Sequence, residues 1–354
     1  MKTLTCSCTL GLLLTAGLAA AQYQATVLSQ SGFGSTVSGG TVGGYSGSGV
    51  SARATLWDFA GNPTDLHPQA LLGANSRSSI NDQSGLISVG GGASNSTLGR
   101  SRAIKWDGAT ASFLAAPFDV YMSNAIATDG VQIVGTAYPY DTFRDAITAG
   151  DSHAIVWDAA TGSVIVDLYR GKPIVVNGVG GGKQVGYELR NSTEARMWNG
   201  DPRTPINLHP AAFHASVAND TDGATQVGYV GLDRQVYGEK RGRRVRFNYA
   251  SVWTGTQASF QTLDMGTFSD TYAVRISHGV IAGSGEFSTF NGIAQHTHAV
   301  VWSGAFRTLS DLHQFVPEEF TDSRAIDIDA QGNIAGYAWN NKGRIVPVVW
   351  TPQG

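Results

Sequence analysis

Residues 298–302 read HAVVW, and residues 153–157 read HAIVW, 145 positions earlier. The core of this motif, Ala-x-x-Trp, recurs along the whole chain. Six copies and a degenerate seventh, PVVW, end at Trp57, Trp106, Trp157, Trp198, Trp253, Trp302 and Trp350. Successive tryptophans are 41 to 55 positions apart. Such self-similarity at one period is typical of repeat architectures, so the fold is expected to consist of similar units.

Each repeat carries further landmarks. A turn such as NDQSG, ATDG, NDTDG or DAQG stands before a Val-Gly or Ala-Gly pair in most repeats, and a leucine follows each tryptophan except the last by 8 to 11 positions. The turns are typical of β-hairpins. The glycines are Gly43, Gly90, Gly135, Gly186, Gly228, Gly283 and Gly336, and the leucines are Leu66, Leu114, Leu168, Leu208, Leu263 and Leu312. Each unit therefore contains four short strands, a to d, exemplified by SRAIDI, NIAGYA, HAVVW and RTLSDL.

Four strands per repeat of this length predict an all-β fold, a β-propeller of seven four-stranded blades. Six and eight blades are the alternatives. The chain ends in PVVWTPQG, so the last blade has no strand d of its own. Leu28, in the segment ATVL, matches the leucine of strand d. We therefore expect an N-terminal strand to complete the last blade and to close the ring, which removes the exposed sheet edges. The recurring tryptophans are predicted to pack between blades.

The unit G-x-V-G … H-A-x-x-W … D-L resembles the bacterial extracellular repeats of the HAF family, named for a His-Ala-Phe motif. The similarity covers nearly all of the chain after residue 21. It departs from the family in two places, because Ile or Val replaces the Phe and DLH stands where Asp-Leu-Gly is common. The resemblance implies export and a repeated β fold, and it implies no enzymatic activity and no site residues.

The first 21 residues have the layout of a secretory signal peptide. Lys2 precedes an apolar run over residues 9–18, and Ala19 to Ala21 offer a cleavage site before Gln22. We therefore expect a single propeller domain over residues 22–354, secreted or periplasmic. Both cysteines lie in the leader, so the mature chain would have no disulfide. The formal net charge is −3, or −4 without Lys2, which argues against nucleic-acid binding, and no later apolar run suggests a transmembrane anchor.

The binding face follows from the spacing of the landmarks. The distance from each tryptophan to the next glycine is 29 to 34 positions, whereas the distance from glycine to tryptophan varies from 12 to 25. Insertions therefore concentrate in the b–c hairpins, which share one rim, and such insertions often mark a binding face. The long b–c hairpins of blades 3, 5 and 6 supply these candidate binding residues: Tyr138, Tyr140, Phe143, Arg144, Tyr237, Lys240, Arg241, Arg243, Arg244, Arg246, Phe287 and Phe290.

Aromatic rings beside guanidinium groups suit an acidic polysaccharide, through stacking and bidentate contacts. The alternative is that the basic run is only the solvated tip of a long hairpin. His67, His209 and His313 follow the strand-d leucines and are weak candidates for metal ligands; imidazoles that cap turns are the other interpretation. The segment DIDAQGN (327–333) has the Asp-x-Asp spacing of a calcium loop, but a plain hairpin fits the other repeats better. No cofactor is expected.

Three functions remain open from the sequence. The first is an exported, non-catalytic propeller that binds an extracellular or cell-envelope component through the b–c rim. The second is a carbohydrate-active hydrolase or lyase with a site assembled from several blades, for which Asp141, Asp145, Glu286 and His296 are candidates if the fold brings two of them together. The third is a structural envelope protein.

Overall fold

The computed structural model describes residues 22–29, 31–94, 100–139, 152–201, 203–236, 243–288, 294–305 and 307–353. Within these ranges, 28 strands form seven antiparallel sheets of four strands each. Consecutive strands pair as hairpins in every sheet. The protein is therefore an all-β propeller with seven blades, which confirms the prediction from the repeat.

The first four blades contain strands a to d in chain order. Blade 1 contains β2 (Phe33–Ser38), β3 (Thr41–Ser46), β4 (Arg53–Asp58) and β5 (Pro63–Asp65); blade 2 contains β6 (Ser76–Ser84), β7 (Ile87–Ser94), β8 (Ser101–Asp107) and β9 (Thr110–Phe113). Blade 3 contains β10 (Val120–Thr128), β11 (Gln132–Pro139), β12 (His153–Asp158) and β13 (Val164–Asp167); blade 4 contains β14 (Ile174–Gly180), β15 (Lys183–Leu189), β16 (Thr193–Trp198) and β17 (Ile206–Asn207).

The last three blades follow the same order. Blade 5 contains β18 (Ala215–Thr221), β19 (Gln226–Val236), β20 (Arg243–Trp253) and β21 (Gln261–Thr262); blade 6 contains β22 (Asp270–Ser277), β23 (Val280–Ser288), β24 (Ala294–Ser303) and β25 (Thr308–Asp311). Blade 7 contains β26 (Asp322–Ile328), β27 (Ile334–Trp339), β28 (Ile345–Gln353) and, as its fourth strand, β1 (Gln22–Val27). Described helices are short: α1 (Gln69–Leu72) and the 3-10 turns Gly49–Ser51, Gln257–Ser259 and His313–Phe315.

The ring closes through β1. This strand pairs antiparallel with β28, from Gln22 opposite Gln353 to Val27 opposite Val348. The backbone N–H of Leu28 donates to Pro347 O at 2.9 Å. In six other blades the leucine after strand d makes the same bond to the first residue of Ala-x-x-Trp, as Leu312 does to Ala299 O. Leu28 therefore occupies the strand-d position, as the sequence predicts.

The tryptophans form the core between blades. The seven tryptophans that end the repeat motif have exposures of 0 to 1%. Trp302, for example, packs among Val227, Ala250 and Ile281, which come from blades 5 and 6. The burial of such large rings is a strong source of stability, and it explains why the repeat preserves them.

A β-bulge in strand a explains the repeat glycine. In every blade the pairing of strands a and b slips by one residue, as between Ile80 and Asp82 in blade 2. The glycine opposite the slip lies so close to strand a that a Cβ at Gly186 would meet Val175 O at 1.9 Å. In blade 1 this role belongs to Gly44, 1.8 Å from Phe33 O by the same measure, so the sequence-based choice of Gly43 was wrong by one position.

No helix in the described part of the chain is long and apolar enough to cross a membrane.

Candidate functional site

The histidine of the opening motif has a structural partner. His153 Nδ1 lies 2.5 Å from Asp167 Oδ2, and His298 Nδ1 lies 2.7 Å from Asp311 Oδ2. Both contacts join the residue before Ala-x-x-Trp, on strand c, to the aspartate of Asp-Leu on strand d. The His and the Asp of the motif H-A-x-x-W … D-L are therefore hydrogen-bonded partners within one blade.

The three weak metal candidates have similar roles. His67, His209 and His313 each place Nδ1 2.7 or 2.8 Å from a serine hydroxyl at the start of the next blade. The three serines, Ser78, Ser216 and Ser323, also accept a hydrogen bond from the N–H of Ala54, Ala195 and Ala299. Burial lowers the pKa of all three histidines. Each imidazole thus links two blades at a separate junction.

No group of three or more His, Cys, Asp or Glu side chains among the described residues is arranged to hold a metal ion. The three histidines belong to the junctions of blades 1 and 2, 4 and 5, and 6 and 7. The structure does not bring them together.

The a–b end of the central channel has a ring of equivalent residues. The residue that follows the bulge in strand a has the equivalent position in every blade, and in four blades it lines the cavity at this end. These residues are Thr36, Asp82, Ala127, Gly178, Asp220, Arg275 and Asp327. The ring therefore contains three carboxyl groups and one guanidinium group, all of them nearly buried.

Each carboxylate of the ring fastens one blade to the next. Asp82 Oδ2 accepts from the N–H of Thr128 at 2.7 Å, and Asp220 Oδ2 accepts from the N–H of Ile276 at 3.0 Å. Asp327 Oδ2 accepts from the N–H of Val37 and the hydroxyl of Thr36, at 2.8 and 2.7 Å. Hydrogen bonds to buried charged groups are among the stronger ones. The ring therefore holds blades 2 to 3, 5 to 6 and 7 to 1 together.

The electrostatics of the ring are unusual. Burial raises the pKa of Asp82 to about 7 and that of Asp220 to about 6, and it also raises the pKa of Asp327, while Arg275 opposes all three shifts. Arg275 Nε lies 3.7 Å from Asp327 Oδ1. Burial disfavours the charged form of a carboxyl group, and neighbouring carboxylates add repulsion. The ring therefore gains protons close to neutral pH.

A cavity of about 730 Å³ opens over this ring at the a–b end. Besides the ring, it is lined by the a–b turns, including Asp129, Asp222 and Asp329. Those three carboxylates accept hydrogen bonds from N–H groups of their own turns. The segment DIDAQGN is thus a hairpin, as the other repeats predict, with Asp327 in the ring and Asp329 in the turn.

The candidate residues of the b–c rim are only partly described. Tyr140, Phe143, Arg144, Tyr237, Lys240, Arg241, Phe290, Asp141 and Asp145 lie outside the described residues, and so do the side chains of Arg243 and Arg244, whose backbone belongs to β20.

Most of the remaining candidates have partners in their own blades or the next. Tyr138 is half-buried on β11. Arg246 donates from Nε to Asp233 Oδ1 at 2.8 Å, and the ring of Phe287 lies 4.6 Å from that of Phe268. His296 lies 3.8 Å from Asp322.

A second set of equivalent residues lies at the b–c end of the channel. The residue after the repeat glycine on strand b is tyrosine in four blades: Tyr45, Tyr187, Tyr229 and Tyr337. Two of them pack against an aromatic ring on strand a of the next blade. The centroids of Tyr337 and Phe33 are 4.0 Å apart, and those of Tyr229 and Tyr272 are 5.1 Å apart. These pairs fill the groove between adjacent blades.

Blade 2 has no aromatic ring to offer Tyr45. The position equivalent to Phe33 and Tyr272 is Ser79, and its cross-strand partner is Gly91, where four other blades have tyrosine. A cavity of about 280 Å³ lies there, and we call it the Tyr45 cavity. The lining residues come from blades 1, 2 and 3 and from the connection within blade 1: Tyr45, Ala52, Arg77, Ser78, Ser79, Gly91, Gly92, Ala93, Ser101, Met122 and Asn124.

These two cavities were not predicted from the sequence. The ring residues stand in the turns NDQSG, NDTDG and DAQG or next to them, and aligning the repeats at the bulge would have placed them together. The same alignment would have shown Gly91 in a column of tyrosines. The sequence contains both patterns, but they become visible only when the repeats are aligned with the correct register of strands a and b.

No protein-family model matches this sequence, and no curated protein sequence matches it. Solved structures similar to the chain include an acylaminoacyl peptidase of Pyrococcus horikoshii, 10% identical with a TM-score of 0.55, covering 89% of this chain and 52% of the peptidase. Another is a puromycin hydrolase, 9% identical with a TM-score of 0.51, covering 90% of this chain and 52% of the hydrolase. The chain spans about half the length of these proteins, and the likeness shows the fold alone.

Proposed function

We propose that this protein is an exported propeller that binds a polysaccharide of the cell envelope or its surroundings, through the face on which the b–c hairpins lie. The observation that supports it best is the Tyr45 cavity. Sugar sites combine an aromatic ring with a few polar groups in a concave surface. Tyr45 supplies the ring, and Arg77, Ser101 and Asn124 supply polar groups from blades 2 and 3.

The ring of Tyr45 is held in place for such a contact. It lies parallel to the ring of Phe33, with 5.5 Å between centroids and 4° between planes. Gly91 and Gly92 belong to the wall of the cavity, and the absence of a side chain at Gly91 lets Asn124 and Ser101 come close to the backbone there. An aromatic ring that is fixed before a ligand arrives loses little conformational entropy on binding.

Binding without cleavage is the better fit to this cavity. Most glycoside hydrolases use a pair of Asp or Glu side chains on either side of the bond that breaks. No Asp or Glu is among the described residues that line the Tyr45 cavity. The residues there can hold a sugar, but they offer neither a general acid nor a carboxylate nucleophile.

The proposal is tested by binding of the purified protein to a panel of neutral and acidic polysaccharides, with Y45A compared to Y229A. Tyr229 has the equivalent position in blade 5, where it packs against Tyr272 instead of lining the cavity. We expect Y45A to weaken binding by about tenfold, or about 1.4 kcal/mol, and Y229A to leave it unchanged. If no glycan binds, or if both variants behave alike, the proposal is overturned and the structural role becomes the better account.

The contribution of the basic hairpin of blade 5 to binding is tested in a separate experiment. A variant with residues 238–247 replaced by a short turn is compared with the intact protein at low and high salt. If the hairpin adds contacts to an acidic polymer, its loss should weaken binding at low salt only, because surface charges are screened by salt. Equal binding by the two proteins would show that the hairpin does not contact the polysaccharide.

A hydrolase is the second candidate, because a carboxyl pair with raised pKa values does occur on the same face. Asp270 and Glu286 are directly opposite each other on β22 and β23, and burial raises the pKa of both. Arg324 donates to Glu286 Oε1 at 2.9 Å, and the N–H of Asn248 donates to Asp270 Oδ1 at 2.8 Å. Release of reducing sugar that E286Q abolishes would support hydrolysis. Its absence from every polysaccharide that binds would exclude it.

A further inference from the structure

We infer that the Tyr45 cavity selects a sugar that carries a carboxylate, a uronic acid residue of the bound polysaccharide. This inference rests on the proposed function and makes it more specific. It assigns two roles, the stacking of the sugar ring on Tyr45 and the recognition of its carboxylate by Arg77.

The charge of the cavity is the first argument. Arg77 is the one charged side chain among the described lining residues. It is exposed, and it forms no salt bridge with any described residue. Most other arginines with described side chains have a carboxylate within 4 Å, as Arg53 has Asp65 and Arg246 has Asp233. A guanidinium group binds a carboxylate through two parallel N–H donors, so Arg77 is suited to this anion.

The hydrogen-bond inventory is the second argument. The Oδ1 atom of Asn124 accepts from Asn81 Nδ2 at 3.3 Å and lies next to Gly91, and the same side chain has amide N–H groups that can donate. Tyr45 and Ser101 line the same space, and each has a hydroxyl group that can donate. Donors from three blades therefore surround a cavity whose described lining contains no carboxylate, which favours a ligand with an acceptor group.

The opposite end of the channel supplies a comparison. The cavity at the a–b end is lined by six aspartates, Asp82, Asp129, Asp220, Asp222, Asp327 and Asp329, and by Arg275. The turn carboxylates Asp129, Asp222 and Asp329 disfavour an anionic polymer at that end. The two cavities thus differ in their charged lining, and the difference favours the Tyr45 cavity for an anionic ligand.

The size of the cavity limits what enters it. A volume of about 280 Å³ is near the lower end of ligand pockets, which run from roughly 300 to 1,000 Å³. It suits one sugar unit rather than an oligosaccharide. The polymer would therefore insert one residue, with the rest of its chain on the surface of the b–c rim.

The test is a titration with four ligands of matched length: a galacturonate trimer, its methyl ester, a galactose trimer and a sulfated galactose trimer. We expect the galacturonate trimer to bind at least about tenfold more tightly than its methyl ester, and the preference to shrink at high salt. R77Q should abolish the preference. R77K should keep part of it, because lysine has the charge without the planar pair of donors.

Arg102 provides the matched control. It lies in the same blade, over the ring of Phe113 with 5.0 Å to the centroid, and it does not line the cavity. R102Q should keep the full preference, and circular dichroism should show all variants folded.

The outcomes separate the two proposals. If glycans bind and depend on Tyr45 but the ester binds as well as the acid, the inference is overturned and the proposed function stands. A preference that survives R77Q, or a tighter complex with the sulfated trimer, also overturns it. If none of the four trimers and no polysaccharide binds, both proposals fall.

Discussion

The indole Nε1 of Trp106 donates a hydrogen bond of 2.9 Å to the carbonyl oxygen of Leu66, across the boundary between blades 2 and 1. Trp157, Trp302 and Trp350 make the equivalent bond to the preceding blade, at 2.7 to 3.1 Å. The Nε1 atoms of Trp198 and Trp253 are buried without a partner in the described part of the chain. The same residue type thus carries a hydrogen bond in some blades and only packing in others.

This difference gives the first prediction. W106F and W198F both remove part of a fully buried ring, but only W106F also leaves a buried carbonyl without its donor. W106F should therefore lower the free energy of unfolding by about 1 kcal/mol more than W198F does. Urea denaturation of the two variants measures the difference. Equal losses would mean that the indole hydrogen bond adds nothing to packing.

The second prediction concerns the bulge glycines. An alanine at position 186 would place Cβ 1.9 Å from Val175 O, so the backbone of strand a must move, and G186A should cost about 3 kcal/mol. G108A is the control. Gly108 has a φ of +58° with open space around it, so alanine there costs only about 1 kcal/mol of backbone strain. Thermal unfolding of both variants tests the order, and a milder effect at position 186 would contradict the proposed role of the bulge.

The third prediction concerns closure of the ring. A chain that begins at residue 29 lacks β1, whose Tyr23 is 7% exposed, and it also lacks Leu28, which is 4% exposed. Losing the burial of these two side chains should cost about 4 kcal/mol, and the free edge of β28 should promote association. The comparison is with a chain that begins at residue 22, by urea midpoint and by light scattering. A synthetic peptide of residues 22–29 should restore the midpoint, and unchanged stability of the shorter chain would show that the ring closes without this strand.

The fourth prediction follows from the raised pKa of Asp82. Its folded-state pKa is about 7, above its ordinary value near 4, so the folded protein holds a proton that the unfolded chain has released. The stabilisation by this proton is present below about pH 4 and is lost as the pH rises to about 7. The wild type should therefore gain on the order of 2 kcal/mol over D82N when the pH falls from about 7.5 to about 5.

Comparing the two proteins removes the titration of groups that lie away from the ring from that measurement. Burial lowers the pKa of His67, His209 and His313, so their protonation destabilises the fold on acidification, but it does so in both proteins. The side-chain amide oxygen in D82N can still accept from the N–H of Thr128, so this variant should fold. Parallel profiles of stability against pH for the two proteins would show that Asp82 does not titrate in this range.

The sequence predicted the blades but not the two cavities, for one physical reason. The strands of a blade are consecutive in the chain, so their pairing leaves a local pattern: a turn, a glycine at the bulge, Ala-x-x-Trp and a leucine. The residues that meet at the two ends of the channel come from different blades. Thr36 bonds to Asp327 across 291 positions, and Tyr45 shares its cavity with Asn124 of blade 3. Hairpin composition alone pointed to the aromatic and basic side chains of the b–c loops.

The sequence by itself determined seven blades, a ring closed by β1 and tryptophans between the sheets, because each depends on hydrophobic burial and on hairpins of neighbouring strands. Only the tertiary structure decided which side chains meet at the channel. The ring of Asp82, Asp220, Arg275 and Asp327 exists because the bulge positions of blades 2, 5, 6 and 7 meet around one cavity, and the Tyr45 cavity exists because Ser79 and Gly91 stand where other blades have aromatic rings. Closing the ring brings these residues together, and the spacing of residues along the chain does not predict these contacts between blades.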